Sequence, residues 1–344
     1  MSTLIVTRTR RIAVVLASVG ILLAGTFGTA ATASGASPAS PGSILAPIGH
    51  LTPIALGPGV PATKRPIHAQ PFRTLDPGAL RAAKLRAAAI ASRGSKGPSL
   101  APRAPLAGLF NHLDSPGLNQ LTVAPPDSTG AIGPNNYVEM VNQQIGVYDR
   151  NLNLISSTDN GTFTGAGATL TVTDPQIQWD GQSGHWLYAA LGIATGANML
   201  IFGWSKTSDP SDLTNGWCRF GMARGNLLDD YPKLGHDDNF ISIGTNVYDD
   251  STNKFLTANI FAIQKPAAGD TSCAVNTILY VADAAHPLRN ADGSIAFTPV
   301  PANTADSSPF GYIVAAHSPV DGTAPRPQRS WSGTGPWLAA HQCW

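Results

Sequence analysis

Three aspartates stand beside prolines at widely spaced points of the chain: Asp127 after Pro126, Asp174 before Pro175, and Asp230 two residues before Pro232. Carboxylates at equivalent places of a repeat gather round one axis, and such a ring can hold a hard cation such as Ca²⁺ through its oxygens. The competing reading, preferred here, is that each Asp accepts hydrogen bonds from the amides of its own turn, as Asp does beside Pro. Acid–base chemistry on a glycosidic bond asks for two carboxyl groups at a set separation. The chain has 21 acidic residues and a single Glu among them, so Glu139, Asp230 and Asp237 are the candidate catalytic carboxylates. Asp237 belongs to "HDDN", a run of ligand-type side chains that also reads as an ordinary loop between strands. Trp186, Trp204 and Tyr188 are candidates for stacking on sugar faces; the alternative, again preferred, is that such strand aromatics pack between sheets.

Other chemistries find less. "GAIGP" (130–134) has the glycines of a phosphate loop, but no Lys-Ser/Thr follows and no helical pattern begins there. Ser/His/Asp hydrolysis lacks a G-x-S-x-G elbow, and His185, His236 and Ser183 carry no positional signal. A formal net charge of +1 with 12% charged residues, and no basic stripe interleaved with aromatics, argues against nucleic acid as the partner. The three cysteines lack C-x-x-C spacing. Cys218 and Cys273 each follow the corresponding strand of successive repeat units, so they are expected to join, leaving Cys343 unpaired.

The elements that position these residues begin near Leu121, where short aromatic and β-branched runs alternate with Gly, Asn, Asp and Pro and no long 3.6-residue period is visible. Three segments share one grammar: "PPDSTGAIGPNNYVEMVNQQIGVYDR", "TDPQIQWDGQSGHWLYAALGIATGANMLIFGWSK" and "DDYPKLGHDDNFISIGTNVYDDSTNKFLTANIFAIQK". In each, an Asp near Pro leads through a turn to a strand headed by an aromatic, Tyr137, Trp186 or Phe240, at intervals of 49 and 54 residues. That period is the one expected for four-stranded propeller blades. A fainter fourth copy, "SSPFGYIVAAHSP", puts Tyr312 and Ile313 where Tyr137 and Val138 stand, after a loop-rich insertion over 282–309. The predicted fold is an all-β propeller over 121–323, incomplete at three to four blades.

The linked motifs P-P-D-x-x-G-A-I-G-P-N-x-Y-V, T-D-P-x-I-x-W-D-x-x-S-G-H-W and D-Y-P-K-L-G-x-D resemble a group of secreted bacterial β-propeller proteins of the broad sialidase-like architecture. The resemblance covers roughly residues 121 to 320 and is specific for fold, not activity. Sialidase-type chemistry would imply a Tyr nucleophile assisted by Glu, an acid/base Asp, and three arginines gripping a substrate carboxylate. The region offers Arg150, Arg219, Arg224 and Arg289, with no evident triad and no complete Asp-box. Glu139 lies in the predicted strand "YVEMVN", where the repeat puts Tyr188, Ser242 and Val314 in the other units.

Compartment is read from the N-terminus. Arg8, Arg10 and Arg11 precede an apolar run and A-x-A-like sites, which predicts a signal peptide over 1–33 and export, with no stable membrane span after cleavage. Residues 34–120 are rich in Pro, Ala, Gly and Ser and predict a disordered linker or pro-region, with a short basic helix over 76–93. The tail, 324–344, has no acidic residue and no strand alternation; an irregular segment left by truncation or a shifted frame is expected. The sequence therefore points to a secreted, extracellular or cell-wall-associated propeller that binds glycans or extracellular proteins, with a sialidase-like glycoside hydrolase as the alternative and possible Ca²⁺ as its one cofactor.

Overall fold

The computed structural model describes residues 44–58, 85, 114–119, 125–275, 277–290, 293–307, 310–317 and 340–343. The predicted signal peptide lies outside them, as does the 76–93 helix apart from Leu85, which is helical. Three short strands come first, β1 (Ile44–Leu45), β2 (Gly49–Leu51) and β3 (Ile54–Ala55). Blade I follows as β4 (Thr129–Ile132), β5 (Asn136–Val141), β6 (Gln144–Asp149) and β7 (Leu154–Asp159). Blade II is β8 (Thr171–Asp180), β9 (His185–Ile193), β10 (Asn198–Ser205) and β11 (Trp217–Gly225). Blade III is β12 (Leu227–His236), β13 (Phe240–Asp249), β14 (Lys254–Gln264) and β15 (Ile278–Tyr280). Blade IV is β16 (Ala296–Pro301), β17 (Gly311–His317) and β18 (Ala340–Cys343).

Each blade is an antiparallel meander in chain order. Its first strand lies innermost, because β4 packs on β8, β8 on β12 and β12 on β16. No comparable packing joins β16 back to β4 among the described residues, so the four blades form an open propeller arc. The core lies between blades. Trp186, Tyr188 and Ala190 of β9 face Val138, Met140 and Phe163 in one cluster, while Leu187 and Ala189 of the same strand face Ile241, Ile243 and Phe261 in the next. The two-residue period of a strand buried on both faces produces this division, and each large apolar side chain so buried contributes about 1.5–3 kcal/mol. A third cluster, around Ile260, Leu288 and Ile313, joins blades III and IV.

Three expectations are corrected. Residues 44–58 are a strap rather than a linker: β3 pairs with β11, β2 with β15 and β1 with β18, so one segment supplies the outermost strand of blades II, III and IV. Runs of two or three residues broken by Pro47 and Pro53 show no periodicity of their own, and the open ladder groups of each blade edge are what extend them. The presumed insertion at 282–309 contains β16, the inner strand of blade IV, hidden because Thr298-Pro299 stands where the earlier units have Asp-Pro or Tyr-Pro. The tail is not irregular throughout, since 340–343 forms β18 on the edge of β17; the rest of 324–344 lies outside the described residues.

The predicted disulfide is present. Cys218 of β11 and Cys273, in the loop after β14, have Cα atoms 5.2 Å apart and join blades II and III.

Candidate functional site

The inner strands share one irregularity. Their register shifts between Thr173 and Gln176, between Asp230 and Lys233, and between Phe297 and Val300. The extra residues are Asp174-Pro175, Tyr231-Pro232 and Thr298-Pro299. Pro cannot donate to the ladder, so the strand bulges there, and the residue before it takes a positive φ of 50°, 55° and 50° respectively. Asp127, with φ 42°, holds the same place ahead of β4. Such angles are costly for non-glycine residues and persist where the surroundings hold them.

Buried asparagines do the holding. Asn142 donates through Nδ2 to the Pro125 carbonyl at 2.9 Å and to Asp127 Oδ2 at 2.6 Å. Its Oδ1 accepts from Thr173 Oγ1 and from the Asp174 amide, both at 2.8 Å. Blade I is thereby tied to blade II. Asn246 repeats the device between blades III and IV, donating to Thr298 Oγ1 at 2.9 Å and accepting from its amide at 2.7 Å. Between blades II and III, the Asp174 carboxylate accepts the Tyr231 amide.

Aligning the blades on this bulge corrects the repeat. Tyr231, not Asp230, matches Asp127 and Asp174, and Asp230 matches Thr173. The equivalents of Glu139 are Tyr188, Ile243 and Ile313, from their pairings with Ile177, Leu234 and Pro301 against Glu139 with Gly130; Ser242 and Val314 are one residue off. Nor do Asp127 and Asp174 serve only their own turns, because their partners Asn142 and Tyr231 lie in the β5–β6 turn and on the next blade.

The three carboxylates nonetheless share one field at the centre of the blades, all half-buried. Burial, reinforced by Asp127, raises the Asp174 carboxyl above the usual carboxylate range. Burial and the charge of Asp174, with a smaller contribution from Asp127, push Asp230 up to about 6. Lys233 opposes both shifts, and its ammonium lies 3.2 Å from the centroid of the exposed Tyr231 ring, a cation–π contact. Tyr231 and Lys233 were missed as site residues; "DYPK" marks them in the sequence, but only the structure shows that the bulge begins at Tyr231 and leaves its ring exposed. Among the described residues no group of three or more His, Cys, Asp or Glu is placed to hold a metal ion, so the Ca²⁺ reading of Asp127, Asp174 and Asp230 gains no ligand cluster.

The other candidates lie elsewhere. Glu139 accepts from the Leu118 amide at 2.9 Å and the Tyr148 hydroxyl at 3.0 Å, fastening residues 114–119 to blade I. A Cβ on Gly117 would come within 2.6 Å of its Oε1, so a side chain there would displace the Glu139 carboxylate from this contact. Asp237 accepts from the amides of Asn239 and Phe240, both at 2.8 Å, and so holds a turn. Trp186, Trp204 and Tyr188 are at most 1% exposed, which removes them as ligand platforms and makes them core. Arg219 donates to the carbonyls of Phe163, Trp217 and Leu213, Arg224 pairs with Asp229, Arg150 donates to Gly133 and Arg289 to Gly293. Arg219 and Arg224 share β11, yet each of the four guanidiniums is engaged by partners of its own, and no arginine triad forms among the described residues.

A second polar group sits where the inner strands of blades II and III end. Asp180 is fully buried, 2.7 Å from Lys265 Nζ and 2.5 Å from Ser183 Oγ. His236 Nδ1 is 3.6 Å from Asp180, beyond a normal hydrogen bond, and burial lowers the imidazole's pKa. Ser183 bonds Asp180 rather than His236, so these residues are not a nucleophile–base pair. Buried charges require such pairing, and the network joins the two blades.

No protein-family model and no curated protein matches the chain. Among solved structures it is similar to an exo-1,5-α-L-arabinanase from a bovine ruminal metagenomic library, at 12% identity over 55% of this chain and 86% of that one, with a TM-score of 0.25. It is similar also to the native arabinanase of Bacillus subtilis, at 11% identity over 57% and 90%, with a TM-score of 0.24. At this depth the fold assignment rests on the sheet topology itself. Among the described residues no helix is long and apolar enough to cross a membrane.

Proposed function

We propose that the chain is an exported propeller that binds uncharged glycans at the mouth formed by Asp127, Asp174, Asp230, Tyr231 and Lys233. The observation that carries this reading is the convergence of three half-buried carboxyl groups on the blade centre beside a tyrosine that is 48% exposed. Carboxylates accept from sugar hydroxyls, below about pH 6 a protonated Asp230 adds a donor, and the Tyr231 ring supplies an apolar face for stacking. The engaged arginines argue against an acidic sugar as the ligand. The basic n-region before an apolar run and the Cys218–Cys273 disulfide support export.

A glycoside hydrolase is the second reading, favoured by one observation: burial, and after it the neighbouring Asp174 and Asp127 carboxyl groups, hold Asp230 up to about 6, the environment that makes one carboxyl an acid beside an ionised partner. Calorimetric titration with neutral oligosaccharides, arabinan fragments included, tests binding, and release of reducing ends from the same substrates tests turnover. Binding lost in Tyr231→Ala without turnover by the parent supports the module. Turnover lost in Asp230→Asn supports the hydrolase. No binding and no turnover across the panel defeats both.

A further inference from the structure

The junction between blades II and III lacks a clamp that the junctions on either side possess. Asn142 stands opposite Pro126 and Asn246 opposite Asp230, and each holds the first bulge residue of the next blade by its backbone amide, Asp174 and Thr298 respectively. The same position in blade II, opposite Thr173, is Leu191. It is 1% exposed, and its side chain has no acceptor. The Tyr231 amide turns instead to the Asp174 and Asp230 carboxylates, and the Tyr231 ring stands exposed on a residue at φ 55°. Lys233 covers one face of that ring, its ammonium 3.2 Å from the centroid. In the other blades the place of Lys233, judged by its pairing with Gly244, is taken by Thr129, Gln176 and Val300, none of which carries a charge.

We propose that Lys233 is the positioning residue of the mouth: its ammonium fixes the Tyr231 ring where no asparagine does, and leaves the opposite face of the ring for a sugar to stack on. This role rests on the glycan reading above. A cation over the face of an aromatic ring is attracted by the ring's quadrupole, and a ring ordered before the ligand arrives spares binding the entropy of ordering it. The same charge draws the Asp174 and Asp230 carboxyls down, against burial and their mutual repulsion. The charges that act on Asp230 come from three blades: Asp174 of β8, Asp127 ahead of β4, and Lys233 of β12. The Tyr248 phenol of β13 faces it as a neutral group, raised by burial and by Asp230 itself. Lys233 supplies the one positive charge among them.

Calorimetric titration of the parent, Lys233→Met and Lys233→Arg with neutral oligosaccharides, arabinan fragments included, tests this, together with a carbon NMR titration of the Asp230 carboxyl in the ligand-free protein. Lys233→Met should weaken binding by roughly two- to five-fold, the range of an exposed cation–π contact, and the Asp230 titration should move above about 6. Lys233→Arg, which keeps a cation able to lie on the ring, should restore both. Lost affinity by itself would also follow from a disturbed strand, so the titration and the arginine rescue carry the test. An oligosaccharide bound equally by the parent and Lys233→Met overturns the role while the glycan reading stands. An Asp230 titration that does not rise in Lys233→Met, or an arginine variant that behaves as the methionine one, overturns it too. A parent that binds no oligosaccharide defeats the glycan reading and this role together.

Discussion

Replacing Asp230 with Asn should make the protein more stable at neutral pH. In the folded state the Asp230 carboxyl is pushed up to about 6 by burial and by Asp174 and Asp127, from an ordinary value of 3.8. A difference of that size corresponds to about 3 kcal/mol between the two protonation states. This is an upper limit, because Asp230 is only half-buried and the ionised form keeps an attraction to Lys233 that Asn lacks; a gain of roughly 1–2 kcal/mol is expected at pH 7.5. The sign follows from proton binding. Between pH 4 and 6 the folded state holds a proton on Asp230 that the unfolded state has released, so this group's contribution to stability falls as pH rises through that window. Below about 4 both states are protonated and the penalty vanishes. Urea denaturation of the parent and Asp230→Asn at pH 4, 5, 6 and 7.5 measures the difference, with equal m-values as the check that only stability changed. The curves should coincide near pH 4 and diverge up to about pH 6. A variant less stable than the parent at pH 7.5, or a difference independent of pH, refutes the assignment of Asp230 to a shared carboxylate field. A residue retained at such a cost is what a working site contains.

The Cys218–Cys273 disulfide closes a loop of sequence separation 55, for which loop entropy gives about 4 kcal/mol; the double Cys→Ser variant should lose up to that amount in denaturant titration, and no loss would show that the crosslink does not constrain the unfolded chain. Asn142→Ala removes four hydrogen bonds at a buried inter-blade position and should cost roughly 2–4 kcal/mol, read as a lowered denaturation midpoint. If it leaves that midpoint unchanged, Asn142 does not hold the bulges. Glu139→Ala should speed hydrogen exchange of the Leu118 amide while leaving glycan affinity intact, whereas lost affinity would return Glu139 to the site.

What the sequence by itself determined is local. Strand alternation and turn residues in 125–264 reveal the blades, because a two-residue period between Gly, Asn and Asp turns is visible without neighbours, and the Cys218–Cys273 pair follows from equivalent positions on adjacent units. Composition likewise argues against nucleic acid as the partner. Tertiary structure decided the rest. The same bulge recurs in blades II, III and IV, but its first residue is Tyr231 in blade III, so a repeat anchored on the Asp nearest the Pro slips by one and takes Asp230 in place of Tyr231 as the equivalent of Asp127 and Asp174. β16 escaped notice because Thr298-Pro299 keeps the bulge without the carboxylate. The strap escaped because strands of two or three residues have no period; their ladder partners lie on β11, β15 and β18, more than a hundred residues away in sequence. Whether an aromatic packs or binds was settled by its strand's place in the blade: Trp186, Tyr188 and Trp204 stand on β9 and β10, which are buried on both faces, whereas Tyr231 stands at the bulge of the inner strand β12 and stays exposed. The proton affinity of Asp230 belongs to no residue alone: it arises from burial and two other carboxyl groups that only the arrangement of the blades brings into one field.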